Sequence, residues 1–440
     1  MIGNLARSFR EFSRLESTSG ILLLLALAFA LGWSNSTWSE SYFHLLETDL
    51  GFQIGGLKLS TTLHHAVNDG LMAVFFFVVG LEIKREMVAG ELASLTRAAF
   101  PIGAALGGMV VPALIFAAFN HGLPTARGWG IPMATDIPFA LGILALLGSR
   151  IPSSLKVFLM ALAIIDDLGS VLVIAVFYTK EISWIGLGNA AVAFAIPVLF
   201  NVAGFRRPIL YVLPGIAMWY LLLSSGVHGT IAGVLVAWTI PAVSRIRETD
   251  FAALGRGILD RFESAKYKEE TPILNPERLD AIMELEAACE KVEPPLQRLE
   301  EGLHPWTSYF ILPLFALANA GVRIEASLIS SLWNQAGLGI LLGLLIGKPL
   351  GIFGATRIML ALGFPPLAGG VNWKHFLGVG ILGGIGFTMS IFISGLAFGE
   401  GRDLDAAKLS VFLASALAGI IGWTILRLIP TQIRKETVTG

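Results

Sequence analysis

The sequence predicts an all-α polytopic membrane protein with twelve transmembrane helices, and three observations support this fold class. Hydrophobic residues make up 55% of the 440 residues and charged residues only 14%, whereas roughly 25% of an average soluble protein is charged. Apolar runs long enough to cross a bilayer, which takes about 20 residues, recur along the chain. Lysine and arginine are divided unequally between alternate connections, which is typical of multispanning proteins.

The apolar runs divide the chain into two transmembrane parts and one long polar segment. The runs lie near 18–34, 66–82, 98–119, 128–149, 157–178, 182–204, 208–223, 226–242, 306–322, 336–356, 376–398 and 409–426. Residues 1–242 thus carry spans 1–8, residues 243–305 form a loop, and residues 306–440 carry spans 9–12 and a tail, all in one integral membrane domain. The first run follows three arginines like a signal peptide, but eleven further spans favour an uncleaved helix.

The positions of lysine and arginine predict the orientation in the membrane. The N-terminal segment, every second connection after it and the tail together contain 24 of the 31 Lys and Arg. The other six connections contain 6, and Lys348 lies within a span. Positive charge concentrates on the cytoplasmic side, so both termini are expected there. The net charge of −1 gives no field for nucleic acid, the single Cys289 excludes an intramolecular disulfide, and no cofactor is expected.

Two connections have predicted structure of their own. Residues 49–64 alternate apolar and polar positions around a Gly-Gly pair, which predicts a β-hairpin on the outer side. A lone hairpin is only marginally stable, so it could pair with a second protomer in a homodimer or lie on its own protein surface. The loop 243–305 has apolar residues at helical spacing, interrupted by a Pro-Pro pair at 294–295. This pattern predicts two short amphipathic cytoplasmic helices that cap or regulate the protein.

Four charged residues lie deep in predicted spans. They are Asp136, Asp166, Asp167 and Lys348, in the fourth, fifth and tenth spans, each within about two turns of the middle of its run. A charge at the bilayer centre costs roughly 2.5–3.5 kcal/mol on insertion scales, so each needs a partner or a water-filled cavity. One aspartate paired with Lys348 could be a structural ion pair. Three acids and one base still leave a carboxylate near 166–167 without a fixed cation.

This surplus carboxylate predicts an exchangeable ligand. Adjacent carboxylates repel when both are ionised, so Asp166 and Asp167 should titrate as a coupled unit. Oxygen ligands suit a hard cation, and with no histidine or cysteine nearby sodium or lithium fits best. A carboxylate that holds either a proton or sodium, but never both, exchanges one for the other. The sequence therefore predicts Na⁺ (or Li⁺) and H⁺ as transported ions in a protein embedded in a lipid bilayer.

Two predicted spans have interrupted backbones. Pro132 and Pro138 flank Asp136 in the fourth span and remove amide donors. The eleventh span contains five glycines just before Thr388, although glycine also serves close helix packing. Interrupted segments in corresponding positions predict inverted repeats, here spans 3–5 and 10–12. Where the two broken helices cross, we expect Asp136 to offset positive N-terminal ends and Lys348 to offset negative C-terminal ends.

Seven ordered motifs resemble those of the NhaA-type sodium/proton antiporters, and the resemblance covers nearly the whole chain. They are VGLEIKRE at 79–86, ATDIPFALG at 134–142, LMALAIIDDLG at 159–169, SGVH at 225–228, LHPW at 303–306, IGKPLG at 346–351 and GIGFTMSIF at 384–392. Together, in this order, they are highly specific. That family is itself a known example of inverted repeats, so the predicted repeats are not independent of the resemblance.

The resemblance implies a function and a role for each membrane charge. It implies electrogenic exchange of cytoplasmic sodium or lithium for more than one external proton, with alternating access, across a bacterial inner membrane. Asp166 and Asp167 match the pair that carries the cation and the protons. Lys348 matches the lysine that pairs with the first aspartate of the two. Thr135 and Asp136 match residues of an unwound segment that help the site.

Regulation by pH is also implied by the resemblance. Glu82, Arg85, Glu86 and Glu300 resemble a cytoplasmic funnel that senses pH in this family. Asp69 matches a polar residue of the outward funnel.

Some features depart from the family pattern or have two interpretations. The loop 243–305 is longer than in members with a short connection there, and Glu301 stands where some members have a histidine, which affects the pH set-point. Histidine titrates in the range of a pH sensor, so His228 and His304 are sensing candidates. Either could instead be a hydrogen-bonded structural residue.

Three other functions fit part of the pattern. An intramembrane aspartyl protease also uses paired acids, but Asp166 and Asp167 point about 100° apart on one helix, and Lys348 would have no role. A passive cation channel would need no proton. A proton-coupled carrier of another solute would need a sizeable specificity pocket, whereas the predicted site residues are small carboxylates and hydroxyls. A transporter of a bare ion is therefore favoured over an enzyme.

Overall fold

A computed structural model of the chain describes residues 2–54, 57–179, 182–265, 275–364 and 371–430. Most of these residues are helical. The helices, numbered in chain order, are α1 (Ile2–Ser34), α2 (Ser39–Leu46), α3 (Leu63–Ala89), α4 (Leu95–Asn120), α5 (Ile137–Leu146), α6 (Ser153–Phe177), α7 (Trp184–Val202), α8 (Ile209–Ser224), α9 (Thr230–Thr239), α10 (Glu248–Ser264), α11 (Pro276–Val292), α12 (Pro295–Trp306), α13 (Leu312–Asn319), α14 (Ala326–Ser331), α15 (Gln335–Ala361), α16 (Trp373–Leu382), α17 (Phe387–Phe398) and α18 (Arg402–Leu428).

Several helices contain or adjoin turns of different pitch. A 3₁₀ segment, Pro124–Met133, precedes α5. Wider π turns lie within α3 at Ala66–Leu71, between α12 and α13 at Thr307–Ile311, and within α15 at Gly343–Gly347. Such turns are rare and often lie at functional sites.

Seven helices in the described ranges are long and apolar enough to cross a membrane. They are α3, α4, the 3₁₀ segment together with α5, α6, α7, α15 and α18. Two bent pairs raise the number to nine if each counts as one span: residues 18–34 of α1 with α2, bent by 114°, and α16 with α17, bent by 46°. The chain is therefore a multi-pass membrane protein.

The twelve-span count stays a prediction because the other predicted runs contain shorter helices. The run 226–242 yields only the ten residues of α9, since turns precede Thr230 and the helix ends before Pro241. The run 208–223 yields the 16 residues of α8, and the run 306–322 yields the eight of α13 after its π turn.

A two-stranded antiparallel sheet occupies the connection between α2 and α3. Strands β1 (Asp49–Ile54) and β2 (Leu57–Thr62) pair with Asp49 opposite Thr62 and Ile54 opposite Leu57. The Gly-Gly pair at 55–56 lies outside the described residues. The side of the membrane on which the hairpin lies, and its use in a dimer, remain predictions.

The polar loop contains three helices in its described part, α10, α11 and α12, rather than the expected two. The Pro-Pro pair at 294–295 separates α11 from α12. Ile258 of α10 packs against Ala281 and Ala288 of α11, and Leu296 of α12 packs against membrane helices through Leu81. Residues 266–274 of this loop and residues 431–440 of the predicted tail lie outside the described residues.

Glycine contacts determine how closely α4 approaches α15. A Cβ atom added to Gly107 or Gly351 would collide with the backbone of the opposite helix. Small residues therefore allow the two backbones to approach. Gly108, one residue further on, faces Ile352 and the side chain of Lys348, so this close packing also places the lysine in the protein interior.

Candidate ion-binding site

Two non-helical stretches meet in the interior of the protein. Residues 134–136 are extended before α5, and residues 383–386 link α16 to α17. The Asp136 amide donates to the Ile385 carbonyl at 2.7 Å. Thr135 Oγ1 donates to the Gly383 carbonyl at 2.9 Å. Residues 135 and 136 thus donate hydrogen bonds to carbonyls of the 383–386 link, so the non-helical backbone of both stretches is paired, as buried polar groups require.

Asp136 caps two helix N-termini at this crossing. Its carboxylate is buried, and Oδ1 accepts a hydrogen bond from the Phe139 amide at 3.2 Å at the start of α5. Oδ2 accepts from the Thr388 amide at 3.0 Å and from Thr388 Oγ1 at 2.5 Å at the start of α17. A carboxylate is stabilised by the partial positive charge of helix N-termini, which is the geometry expected for Asp136.

Asp166 and Lys348 form a fully buried ion pair. Both side chains are inaccessible to solvent, and Lys348 Nζ donates to Asp166 Oδ2. Thr135 Oγ1 donates to the same oxygen at 2.7 Å. Lys348 was also expected to offset helix C-terminal ends, but in the described part of the chain its hydrogen-bond partner is a carboxylate and not a helix carbonyl. The reason is proximity: the close α4–α15 contact places the ammonium beside α6.

Asp167 is buried but has no such partner. Its side chain is 1% exposed, and neither carboxylate oxygen has a hydrogen-bond partner among the described residues. Because adjacent residues of a helix point about 100° apart, Asp167 points in a different direction from Asp166 and lines a separate cavity. An ionised carboxylate buried without a partner is very costly. The group is thus suited to hold either a proton or a cation.

A small cavity lies next to Asp167. Its volume is about 40 Å³, and its polar lining residues are Ser19, Glu82, Asp167, His304, Thr307 and Ser308. One water needs roughly 10–15 Å³ of such volume, so the cavity has room for a few waters or a partly hydrated small cation. No group of three or more His, Cys, Asp or Glu in the described ranges could hold a metal ion. An ion here would therefore also need hydroxyl or carbonyl oxygens.

The predicted pH-sensing residues of α3 and α12 form a cluster near this cavity. Arg85 contacts Glu86 through Nη2 at 3.0 Å and Glu300 through Nε at 3.2 Å. Burial raises the pKa of Glu300 to about 7, although Arg85 opposes the shift. Burial, and then the Arg85 charge, lowers the pKa of His304, so this imidazole is neutral at pH 7.

Other charged groups also face Glu300. The acidic neighbours that add to its shift are Glu82, Glu86 and Glu301. Glu301 itself accepts a hydrogen bond from Gln297 at 2.8 Å on the exposed side of α12. The cluster thus combines one guanidinium with several carboxyl groups, and Glu82 and His304 connect it to the cavity beside Asp167.

His228 lies apart from this cluster, beside Asp69. Its Nε2 is 3.9 Å from Asp69 Oδ1, and its ring meets Phe392 edge-on at 5.5 Å between centroids. The Asp69 carbonyl accepts a hydrogen bond from Trp219 Nε1 at 3.1 Å. Asp69 lies in the π turn of α3, and His228 lies in the turn just before α9. His228 is therefore associated with the predicted outward funnel and not with Arg85.

Four hydroxyl residues at the site were not predicted as functional. Thr388 binds Asp136, and Ser19, Thr307 and Ser308 line the cavity at Asp167. All four are at most 5% exposed. The sequence gives only a weak indication of their role, because each is simply a hydroxyl residue within or at the end of an apolar run. Such residues usually bond their own helix backbone, so position alone does not distinguish them.

The fold and these buried charges define a class of protein. Apolar helices surround an ion pair, a cavity sized for an ion and the Asp167 carboxylate, which has no hydrogen-bond partner in the described part of the chain. Ionisable residues at such depth typically line ion pathways. The molecule is thus a multi-pass membrane transporter.

Comparison with known proteins gives the family. The chain belongs to the family described as Na⁺/H⁺ antiporter 1, whose model matches residues 10–426. A protein named Na(+)/H(+) antiporter NhaA from Oleidesulfovibrio alaskensis is 50% identical over 429 residues, covering 97% of this chain and 95% of the relative. A protein of the same name from Koribacter versatilis is 46% identical over 95% of this chain and 90% of its own length. Another, from Christiangramia forsetii, is 44% identical over 99% of this chain and 98% of its own length.

This membership confirms the family resemblance drawn from the seven motifs. It also removes the protease alternative, because the relatives are transporters and not enzymes.

Proposed function

We propose that the chain is an electrogenic Na⁺(Li⁺)/H⁺ antiporter that exports cytoplasmic sodium across a bacterial inner membrane. It has twelve transmembrane helices, with inverted repeats formed by spans 3–5 and 10–12, interrupted spans 4 and 11, and both termini in the cytoplasm. The names of the relatives support sodium and protons as the ions exchanged. The family match over 10–426 supports extending this activity to the whole chain.

The observation that carries the proposal is the state of the Asp167 carboxylate. It is buried, has no hydrogen-bond partner among the described residues and lines a cavity of about 40 Å³. A proton neutralises such a carboxylate, and so does a sodium ion, but one carboxylate does not hold both. Sodium arriving from the cytoplasm therefore releases the proton, and a proton arriving from outside releases the sodium.

The neighbouring ion pair provides the second exchangeable charge. When Asp166 also binds the cation, Lys348 loses its carboxylate partner, and its ammonium is then free to release a proton. Two protons for one sodium ion would make the exchange electrogenic. Asp136 and Thr135 hold the extended segment at the crossing, so that the site can open to one side of the membrane at a time.

Regulation by pH is assigned to the cluster of Arg85, Glu86 and Glu300. Burial raises the pKa of Glu300 to about 7, so its charge changes in the physiological range. Ionised Glu300 would face the carboxylates of Glu82 and Glu86, which favours a rearrangement of α12 against α3 as the pH rises. His304, which is neutral at pH 7, lies between this cluster and the cavity.

A proton-coupled carrier of an organic solute is the alternative within transport. Solute pockets usually measure about 300–1,000 Å³, much more than the cavity at Asp167. A cavity of about 440 Å³ lies between α3, α8, α9 and α12, but none of its lining residues in the described ranges is charged. It offers no proton-carrying group, so the size of the polar cavity favours a bare ion.

Everted membrane vesicles with an imposed pH gradient test the function. With the membrane potential clamped by potassium and valinomycin, sodium addition should discharge the gradient in the wild type. A passive channel would not discharge it under this clamp. Absence of sodium-dependent proton movement in vesicles that contain the folded protein would refute the antiport.

Proton release from purified protein tests the site. Sodium added between pH 6 and 9 should release protons from the wild type and not from Asp167→Asn. Asp403→Asn, at an exposed position of α18, is the matched control and should behave like the wild type. Wild-type release from Asp167→Asn would show that another group carries the proton.

A further inference from the structure

The connection between α12 and α13 has an unusual backbone where it passes the cavity. The π turn Thr307–Ile311 places two hydroxyl residues, Thr307 and Ser308, in the cavity wall. They are 4% and 5% exposed. The wider turn departs from regular α-helical hydrogen bonding, and such turns are frequent at functional sites.

A third hydroxyl residue reaches this turn from α1. Ser19 is fully buried, and its Oγ donates to the Ser308 carbonyl at 2.8 Å. Ser19 also lines the cavity. This hydrogen bond joins residues 289 positions apart in the sequence. It therefore helps to hold the π turn against α1. Three hydroxyl groups from two chain segments therefore lie around the same small space.

The two carboxylates of the cavity are not enough to surround an ion. Glu82 and Asp167 line it together, but no set of three acidic, histidine or cysteine ligands exists in the described residues. Alkali ions prefer oxygen ligands, and neutral oxygens complete their coordination when carboxylates are few. The π turn and α1 bring three hydroxyl residues, which are sources of neutral oxygens, to the cavity wall. Thr307 Oγ1 donates its proton to the His304 carbonyl at 2.8 Å, and Ser19 Oγ donates to the Ser308 carbonyl, so both oxygens keep lone pairs for an ion.

We propose that Ser19, Thr307 and Ser308 form the wall of a cation transit site on the cytoplasmic side of Asp167. Here Na⁺ or Li⁺ exchanges part of its hydration shell for protein oxygens before it reaches the aspartate. This inference rests on the proposed antiport and adds the residues that determine ion selectivity to it.

Transport kinetics of hydroxyl-deletion variants test the transit site. Each variant removes one oxygen ligand of the cation, so Ser308→Ala and Thr307→Val should each raise the KM for sodium about tenfold or more. The KM ratio of lithium to sodium should change, because the ions differ in size. The rate at saturating sodium and the pH profile should stay close to those of the wild type. Ser308→Thr, which keeps the hydroxyl, should restore the KM.

A buried serine elsewhere provides the control. Ser410 is fully buried, and its Oγ bonds the Ala406 carbonyl of its own helix, so Ser410→Ala removes a hydroxyl without touching the cavity. Its sodium KM should be unchanged. If Ser308→Ala does not fold, Ser19→Ala perturbs the same wall from the other helix. Sodium-induced proton release by the purified variants gives the same apparent affinity without vesicles.

The outcomes separate this inference from the function on which it rests. Wild-type exchange with an unchanged sodium KM and lithium-to-sodium ratio in the Ser308 and Thr307 variants would overturn the transit site alone. A wild-type protein without sodium-dependent proton movement would overturn the antiport, and the transit site with it.

Discussion

The buried pair of Asp166 and Lys348 makes a quantitative prediction about stability. Both side chains are 0% exposed, and the pair bonds directly. Removing one partner of such a pair typically costs about 3–5 kcal/mol, because the other charge stays buried and uncompensated. Asp166→Asn and Lys348→Met should therefore each lower the free energy of unfolding by about that amount. The double variant leaves neither charge and should lose much less than the sum.

A double-mutant cycle measures this coupling. Denaturant unfolding in mixed micelles at neutral pH would give the free energy of unfolding of the wild type, both single variants and the double variant. We expect a coupling energy of roughly 3 kcal/mol or more, since both single variants carry the penalty of an unpaired charge. Additive losses, with the double variant as unstable as the sum of the singles, would refute the argument.

An exposed ion pair in the same protein serves as the reference. Arg261 of α10 contacts Glu284 of α11, and their side chains are 60% and 44% exposed. Exposed pairs contribute about 0–1 kcal/mol. The same cycle applied to Arg261→Met and Glu284→Gln should thus give a coupling energy several times smaller. Equal coupling for the two pairs would mean that burial is not the cause.

Three further predictions concern the crossing, the pH response and assembly. Asp136→Asn removes the charge that caps two helix N-termini and should slow sodium-dependent exchange at least severalfold in vesicles; full transport by a folded variant would contradict this role. Burial raises the pKa of Glu300 to about 7, so its contribution to folding is present at low pH and lost as the pH rises through about 7. The charge of Glu300 also changes around pH 7, so Glu300→Gln should reduce the change of exchange rate with pH in that range, measured at saturating sodium. An unshifted profile would exclude Glu300 as a sensor. Replacing Asp49–Thr62 by a short linker should convert a dimer into monomers in native mass spectrometry, whereas an unchanged mass would place the hairpin on its own subunit.

The membrane charges illustrate what sequence patterns predict well. Asp166, Asp167 and Lys348 stood out because a charge in hydrocarbon is expensive, and that cost depends only on the position of the residue within an apolar run. The excess of three aspartates over one lysine within the predicted spans also follows directly from the sequence. The position of Lys348 in the sequence does not select its partner, because helix carbonyls and carboxylates both attract an ammonium group. In the structure the partner is Asp166, and Lys348 lies where α15 packs closely on α4 through glycines.

The hydroxyl groups and the helix boundaries illustrate what the patterns predict poorly. A serine in an apolar run usually bonds its own helix, and only the packing of α1 against the π turn at 307–311 shows that Ser19 does not. Hydropathy locates apolar runs but not where a helix bends or ends within them. The short helices α8 and α9 and the 46° bend between α16 and α17 depend on packing and local turns.

Amino-acid order alone was sufficient for the class of protein, for the family and for locating the buried acids at 166 and 167, because hydrophobicity, charge cost and motif spacing are properties of the linear chain. The three-dimensional arrangement was needed to separate the two adjacent aspartates, one held by Lys348 and one facing a cavity. It was also needed to find the hydroxyl groups around that cavity. These features depend on contacts between segments hundreds of residues apart, and no local pattern encodes such contacts.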